Sequence, residues 1–137
     1  MPQSLRILVA DDYLDSAETL GALLRDNGYQ VCVTSSGPEA IQQAPNFKPD
    51  VVILDLMMPG TDGFKTAAQL IAEPSTQNAT YVAHTGVSTP DIGLRCKRSG
   101  FRYMLRKPAR LEEIEILLRT IAVERRQANQ GAGLTPP

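Results

Sequence analysis

The stretch that most constrains the fold is a short apolar run, residues 51–54, that ends on the carboxylate of Asp55. Four consecutive apolar residues leave no polar face, so a strand built from them must be covered on both sides, as in a parallel sheet between helical layers. Pro59 and Gly60 stop regular structure soon afterwards. We therefore expect Asp55 at the carboxyl end of a central strand, the edge at which open α/β sheets bind ligands.

The rest of the chain alternates predicted strands and helices. Strands are predicted at residues 5–10, 29–33, 51–54, 81–83 and 103–105, and each is followed by apolar residues at helical spacing. Five such units predict an α/β protein with a flavodoxin-like (βα)5 doubly wound parallel sheet, for which the strand order 2-1-3-4-5 is suitable. Residues 1–127 are predicted to form this domain, and residues 128–137 a flexible, solvated tail.

Composition excludes several classes of protein. The chain has 137 residues, 42% of them hydrophobic, and a net charge of -1, so one domain with a real core is expected and nothing calls for nucleic acid or an anionic membrane. No apolar run approaches the roughly 20 residues of a membrane span, and no signal-peptide pattern opens the chain, so a cytoplasmic protein is expected. Cys32 and Cys96 are far apart in sequence and are predicted to be free thiols.

Polar side chains collect at one edge of the predicted sheet. In the order 2-1-3-4-5, strands 1, 3, 4 and 5 lie side by side, and their carboxyl ends carry Asp11-Asp12, Asp55, Thr85 and Lys107. Two carboxylates about 4 Å apart repel by roughly 4 kcal/mol at an effective dielectric near 20. A hard divalent cation would relieve this repulsion, and Lys107 would add positive charge. The cluster therefore predicts a Mg²⁺ site, with Mn²⁺ as a possible substitute.

This edge suits phosphoryl transfer to a carboxylate. A metal and Lys107 would neutralise phosphoryl oxygens while a carboxylate attacks phosphorus, which is catalysis by positioning and electrostatics. Asp55 is the best nucleophile because metal-binding acids lie on one side of it and Thr85 and Lys107 on the other. The expected product is an aspartyl phosphate.

Four segments together resemble the signature segments of bacterial two-component response-regulator receiver domains of the single-domain, chemotaxis-regulator-like type. They are residues 9–12 (VADD), 52–64 (VILDLMMPGTDGF), 82–86 (VAHTG) and 105–108 (LRKP). The resemblance covers residues 5 to about 126, and the order and spacing of the segments are specific. Chemotaxis members of this family are themselves a standard example of the 2-1-3-4-5 order.

The resemblance implies a role for each residue of the site. Asp55 would accept phosphate from the phosphohistidine of a sensor histidine kinase or histidine phosphotransferase, in a phosphorelay. Asp11 and Asp12 would organise Mg²⁺, whose protein ligands would be the carboxylates of Asp12 and Asp55 and the backbone carbonyl of Met57. A backbone carbonyl needs no polar side chain, so methionine suits that position.

The last two strand ends complete the implied site. Thr85 would hydrogen-bond to a phosphoryl oxygen and move toward it on phosphorylation, and Lys107 would pair with another oxygen. The Lys107-Pro108 peptide bond is expected to be cis.

Met104 departs from the family, which often has Tyr or Phe there as a switch, and the neighbouring Tyr103 should point to the opposite face of the strand. We expect the signal to leave through Met104 or through the fourth helix and the loop before it.

The leading functional prediction is a stand-alone receiver that acts as a phosphorylation-dependent protein-interaction switch or phosphate shuttle toward an unknown downstream effector protein. It would not be an enzyme beyond Mg²⁺-dependent self-phosphorylation and self-dephosphorylation. One alternative is a receiver module from a hybrid histidine kinase or larger regulator. An aspartate-nucleophile phosphatase is disfavoured because it needs an acid where Met57 stands, and His84 is predicted to be structural because it points away from the site.

Overall fold

A five-stranded parallel sheet forms the centre of the computed structural model, which describes residues 4–87 and 89–133. The strands are β1 (Arg6–Ala10), β2 (Gln30–Thr34), β3 (Val51–Asp55), β4 (Thr80–Thr85) and β5 (Phe101–Arg106). The helices are α1 (Leu14–Asp26), α2 (Gly37–Phe47), α3 (Gly63–Ala72), α4 (Pro90–Arg98) and α5 (Leu111–Gly133). A short antiparallel ladder joins Met57–Met58 to Thr61–Asp62 between β3 and α3.

The strand order is β2-β1-β3-β4-β5, and every neighbouring pair is parallel. This confirms the flavodoxin-like fold and the order 2-1-3-4-5 predicted from the sequence. The strand β3 is central, with β1 on one side and β4 on the other. Because the sheet is parallel, the carboxyl ends of β1, β3, β4 and β5 meet at the same edge.

The central strand is buried on both faces, as its unbroken apolar run predicts. Val52 and Leu54 belong to a core cluster that includes residues of α2, α3 and α4, whereas Val51 and Ile53 pack with residues of α1 and α5. All four side chains are at most 1% exposed. Burying an aliphatic side chain of this size contributes roughly 1.5–3 kcal/mol. The two-sided burial fixes the register of β3 and so the position of Asp55.

The helix α4 has few apolar residues and depends on its ends and a few contacts for its position. It begins at Pro90, where the missing N–H costs nothing, and the hydroxyl of Thr89 accepts a hydrogen bond from the backbone N–H of Ile92. Beyond its last turn, Gly100 adopts a φ of 95°, a conformation that favours glycine. Of its residues, Cys96 is buried.

The helix α5 is longer than the sequence predicts. It continues through Gly133, whereas the solvated tail was expected to begin at residue 128. The glycines at 131 and 133 suggested a break, but each weakens a helix by only about 1 kcal/mol and does not forbid it. Residues 134–137 of the predicted tail lie outside the described residues, and the division of the chain at residue 127 stays a prediction. Within the part of the chain that the structure describes, no helix combines the length and the apolar character needed to cross a membrane.

Candidate functional site

The carboxylate of Asp55 lies at the end of β3, with a hydrogen-bond donor on each oxygen. The side chain is buried, with the residue 4% exposed. Its Oδ1 accepts a hydrogen bond from the backbone N–H of Met57 at 3.0 Å, and its Oδ2 accepts one from Nζ of Lys107 at 2.9 Å. These two contacts hold the carboxylate at the sheet edge in one orientation.

The ammonium group of Lys107 links two strand ends. Its Nζ lies 3.0 Å from Oδ2 of Asp11 and 2.9 Å from Oδ2 of Asp55. Burial lowers the pKa of Lys107, but the hydrogen bonds to Asp55 and Asp11 outweigh burial, so the pKa is raised above its ordinary value of 10.5. The lysine is therefore charged over the physiological range. The peptide bond to Pro108 is cis, as the resemblance implied.

Three carboxylates converge beside this lysine. Asp11, Asp12 and Asp55 each place one oxygen so that the three atoms lie within 4.8 Å of one another. The carboxylate of Asp11 is oriented by a hydrogen bond from the backbone N–H of Tyr13 at 3.0 Å. Tyr13 occupies the N-cap position of α1, and no side chain caps that end, so Asp12 does not serve as a cap. The predicted acidic cluster therefore forms.

The donor set fits a hard cation such as Mg²⁺. At 4.8 Å, two carboxylates repel by about 3.5 kcal/mol at an effective dielectric of 20. The single ammonium of Lys107 balances only one of the three negative charges, and clustered carboxylate oxygens are the ligands that Mg²⁺ prefers. The ligand role of the Met57 carbonyl stays a prediction.

The remaining strand end of the site carries Thr85, which is fully buried. Its hydroxyl accepts a hydrogen bond from the backbone N–H of Val87 at 3.2 Å. Its carbonyl accepts one from the backbone N–H of Lys107 at 2.9 Å. The end of β4 is thus bonded to the residue that contacts Asp55, and the structure brings the four predicted strand ends to one edge.

His84 lies beside a cavity of about 370 Å³ that is lined also by residues of α1 and α5. Asp11 and Lys107 reach the same cavity. Among the described residues, Nε2 of His84 is buried without a hydrogen-bond partner. Burial lowers the pKa of this imidazole, and the nearby Lys107 lowers it further, so it is neutral near pH 7.

A family model for the response regulator receiver domain matches residues 7–119, most of the chain. The chain belongs to the response regulator receiver domain family. This confirms the resemblance seen in the four sequence segments.

Curated relatives of the receiver are response regulators of different lengths. Protein PilH of Pseudomonas aeruginosa is 34% identical over 116 residues, which cover 85% of this chain and 93% of PilH. Response regulator PleD of Caulobacter vibrioides is 32% identical over 122 residues, or 89% of this chain. The match to PleD spans only 26% of that protein. The DNA-binding response regulator MtrA of Mycobacterium tuberculosis is 33% identical over 109 residues, which cover 46% of MtrA. The chain thus spans about a quarter of PleD and about half of MtrA.

Solved structures share the fold. A CheY-like receiver domain protein from Methanospirillum hungatei superposes with a TM-score of 0.84 at 16% identity, covering 91% of this chain and 98% of that one. At that identity the likeness concerns the fold alone. A putative response regulator from Chloroflexus aurantiacus superposes with a TM-score of 0.79 at 28% identity, covering 88% and 98% of the two chains.

The receiver places Tyr103 and Met104 on opposite faces of β5, as predicted. Tyr103 packs with the cluster that includes α1 and α5, and its hydroxyl donates a hydrogen bond to Glu124 of α5. Met104 faces α4, where its Sδ lies 3.9 Å from Sγ of Cys96. Met104 is 36% exposed, so it reaches solvent as well as α4. Both cysteines are free, which agrees with the sequence prediction.

Two residues at the start of α3, Asp62 and Gly63, were not singled out from the sequence. A Cβ on Gly63 would lie 2.6 Å from Cα of Leu56 and 2.9 Å from the carbonyl oxygen of Asp55, so the start of α3 can approach the acceptor only with glycine there. Asp62 caps α3 by accepting hydrogen bonds from the backbone N–H groups of Phe64 and Lys65. The Asp-Gly pair in the segment 52–64 was the available signal.

Proposed function

We propose that Asp55 accepts a phosphoryl group from the phosphohistidine of a sensor histidine kinase or histidine phosphotransferase. The phosphorylated receiver then acts as a protein-interaction switch or passes phosphate onward. The observation that supports this most directly is the buried Asp55 carboxylate, which has Lys107 at 2.9 Å and two further acids within 4.8 Å. An isolated structural acid needs one partner, whereas this arrangement assembles charge of both signs around a carboxylate.

The reaction needs no group outside the donor, the receiver and a divalent cation. A carboxylate oxygen of Asp55 forms a bond to phosphorus as the bond from phosphorus to the imidazole nitrogen of the donor breaks. The electron pair stays on that nitrogen, which the donor protein or solvent protonates. Lys107 balances charge on the phosphoryl oxygens, and the hydroxyl of Thr85 donates a hydrogen bond to one of them.

The residues that would hold Mg²⁺ are Asp11, Asp12, Asp55 and the carbonyl of Met57. When bound, the cation supplies positive charge for the phosphoryl oxygens. The carboxylate of Asp11 forms an ion pair with Lys107 and accepts a hydrogen bond from the backbone N–H of Tyr13, and these contacts orient it in the site. Self-phosphorylation from a small donor and self-dephosphorylation would use the same residues.

The output we propose passes through α4. Movement of Thr85 toward the phosphoryl group would release its hydrogen bond from Val87 and reposition the β4–α4 loop. Met104 would repack against Cys96 in response, since a thioether side chain adapts readily. Matched phosphorylated and unphosphorylated structures with an unchanged α4 face would contradict this route.

A receiver module within a larger regulator remains the alternative, since the matched region is 26% of PleD and 46% of MtrA but 93% of PilH. The site chemistry is the same in both cases. An aspartate-nucleophile phosphatase is not supported, because Met57 occupies the position of its second acid and its side chain is 64% exposed.

The test is phosphorylation by a small phosphodonor, acetyl phosphate, with Mg²⁺ and with EDTA, read by intact mass. Wild type should gain one phosphoryl group only with the divalent cation, and Asp55→Asn should gain none. Asp26→Asn, an exposed acid on α1, is the matched control and should behave as wild type. An equal mass gain in Asp55→Asn and wild type would refute the assignment.

A further inference from the structure

A groove of about 420 Å³ lies between α4 and the loop that follows Asp55. Its apolar lining consists of Leu56, Met57, Met58, Pro59, Phe64 and Ile92. The side chain of Met57 is 64% exposed at this groove. Exposed methionines adapt their shape to apolar partners and are frequent on protein-binding surfaces. The groove is therefore suited to receive a large apolar side chain.

The cation on this groove, Arg95, is held in place by stacking. Its guanidinium carbon lies 3.9 Å from the centre of the Phe64 ring, which is a cation–π contact. Its Nη2 lies 3.9 Å from Oδ2 of Asp62, which is longer than a hydrogen bond. The N–H groups on the edge of Arg95 are thus oriented without a short contact to Asp62.

The carboxylate of Asp62, which also lines the groove, caps the N-terminus of α3. Its Oδ1 accepts hydrogen bonds from the backbone N–H groups of Phe64 at 2.8 Å and Lys65 at 3.3 Å, where the N-terminus of α3 favours an anion. The helix α4 carries three basic residues, Arg95, Lys97 and Arg98, against one acid, Asp91. The charge around the α4 side of the groove therefore favours an acidic partner.

We propose that this groove binds a peptide segment of a partner protein in which a large apolar side chain is flanked by carboxylates. The apolar side chain would lie between Met57 and Ile92, and a carboxylate would accept hydrogen bonds from Arg95. A guanidinium fork binds a carboxylate in two parallel hydrogen bonds, and its stacking on Phe64 reduces the entropy lost on binding. The basic α4 would exclude segments flanked by lysine.

The groove is also connected to the phosphoacceptor. The backbone N–H of Met57, which lines the groove, donates to Oδ1 of Asp55 at 3.0 Å. Phosphorylation changes the acceptor of this hydrogen bond, so the affinity of the groove for its peptide changes with it, and the peptide affects phosphorylation reciprocally. This coupling, unlike peptide binding itself, rests on the proposed function of Asp55.

The first experiment titrates ¹⁵N-labelled wild type with an acetylated, amidated peptide of sequence Ser-Glu-Leu-Phe-Glu-Ser, followed by backbone amide shifts. A second peptide replaces both glutamates by lysine. The acidic peptide should shift the amides of Met57, Met58, Ile92 and Arg95, and the lysine peptide should bind about tenfold more weakly or not at all. Absence of shifts at these positions, or equal affinity for the two peptides, would overturn the proposal.

Variants separate Arg95 from the general charge of α4. Arg95→Glu should weaken the acidic peptide by about tenfold, whereas Arg98→Glu, the same change one turn along the helix and outside the groove, should weaken it by no more than about twofold. Arg95→Lys keeps the charge but not the planar guanidinium, so its loss of peptide affinity should lie between the losses of the two glutamate variants. Equal losses in Arg95→Glu and Arg98→Glu would show a diffuse electrostatic attraction and would overturn a groove site. Urea unfolding of each variant separates lost binding from lost fold.

The coupling is tested by repeating the titration on protein treated with acetyl phosphate and Mg²⁺, with loading measured by intact mass. A change of threefold or more in peptide affinity, absent in Asp55→Asn, is the expected result. Full loading with unchanged affinity would overturn the coupling while leaving the proposed function intact. Failure of Asp55 to take up phosphate would refute the proposed function, and the peptide titration of the unmodified protein would still decide the groove.

Discussion

Replacing Lys107 by methionine should destabilise the metal-free receiver substantially, since methionine keeps much of the length of the side chain and removes the ammonium. Two hydrogen bonds, at 2.9 Å to Asp55 and 3.0 Å to Asp11, are lost together with the charge. A hydrogen bond to a charged group contributes about 1.5–3 kcal/mol, and partial exposure of the Lys107 side chain reduces that figure. Two buried carboxylates are then left without their cation. We expect a loss of about 2–4 kcal/mol in the free energy of unfolding.

Urea unfolding in EDTA measures this loss directly, and a second unfolding series with Mg²⁺ tests its cause. Added Mg²⁺ should recover part of the loss in Lys107→Met, because a cation among the three acids replaces the missing positive charge. Lys97→Met, at an exposed position on α4, is the matched control and should change stability by no more than about 0.5 kcal/mol.

The pH dependence of the same variant has a defined sign. The pKa of Lys107 is raised in the folded protein, so its contribution is fully present below the unfolded value of 10.5 and is lost as the pH rises through the folded pKa. The stability difference between wild type and Lys107→Met should therefore be constant from pH 7 to 9 and shrink at higher pH. A free energy of unfolding within about 0.5 kcal/mol of wild type in EDTA at pH 7 would refute the reasoning.

Three further perturbations address other parts of the molecule. Burial raises the pKa of Tyr81 to about 12, and its hydroxyl donates a hydrogen bond to the carbonyl of Thr76 at 2.6 Å. Tyr81→Phe should therefore lower the free energy of unfolding by about 1 kcal/mol in urea at pH 7. Between pH 10 and 12, wild type should lose stability relative to Tyr81→Phe, because the tyrosine ionises first in the unfolded chain. Asp12→Asn should weaken Mg²⁺ binding about tenfold or more by calorimetry and should raise metal-free stability, because it removes one of the repelling carboxylates. Unchanged Mg²⁺ affinity would remove Asp12 from the site. Gly63→Ala should cost about 1–3 kcal/mol, because its Cβ would meet the backbone of Leu56 at 2.6 Å, and a crystal structure with an unmoved loop and wild-type stability would contradict this.

The main site was predictable because each of its residues follows a recognisable strand. Asp55 directly follows the apolar run 51–54, and Lys107 comes two residues after the predicted strand 103–105. A parallel sheet brings such strand ends to one edge whatever the details of packing. The contact of Lys107 with Asp11, in addition to Asp55, was not predictable. It depends on the distance between a side chain at the end of β1 and a side chain at the end of β5. The length of α5 was misjudged because local propensity counted against Gly133, while a helix already extended past several turns tolerates glycine.

The stacking of Arg95 on Phe64 was also beyond sequence reasoning, because the two residues belong to different helices and neither has a pattern that reports the other. In the sequence, Arg95 stands among the basic residues Lys97 and Arg98, and nothing there indicates an aromatic contact. In the structure, the guanidinium carbon of Arg95 lies 3.9 Å from the centre of the Phe64 ring. Phe64 in turn packs edge-on against Phe101 of β5, with 6.1 Å between the ring centres. Contacts of this kind depend on how α3 and α4 approach one another on the same face of the sheet.

These contacts bear on how a signal leaves a receiver with methionine at position 104. An aromatic switch at that position would report phosphorylation by moving a large ring, whereas Met104 presents a flexible side chain to Cys96. Cys96 is next to Arg95, and Arg95 stacks on Phe64, which follows Gly63 against the carbonyl of Asp55. A path of two close approaches and two covalent neighbours therefore runs from the acceptor to α4 without any aromatic at position 104. Phosphorylation can favour only a state with which it interacts differently. We therefore expect the position of α4 relative to the β3–α3 loop to carry the output, with Met104 repacking against Cys96 in response.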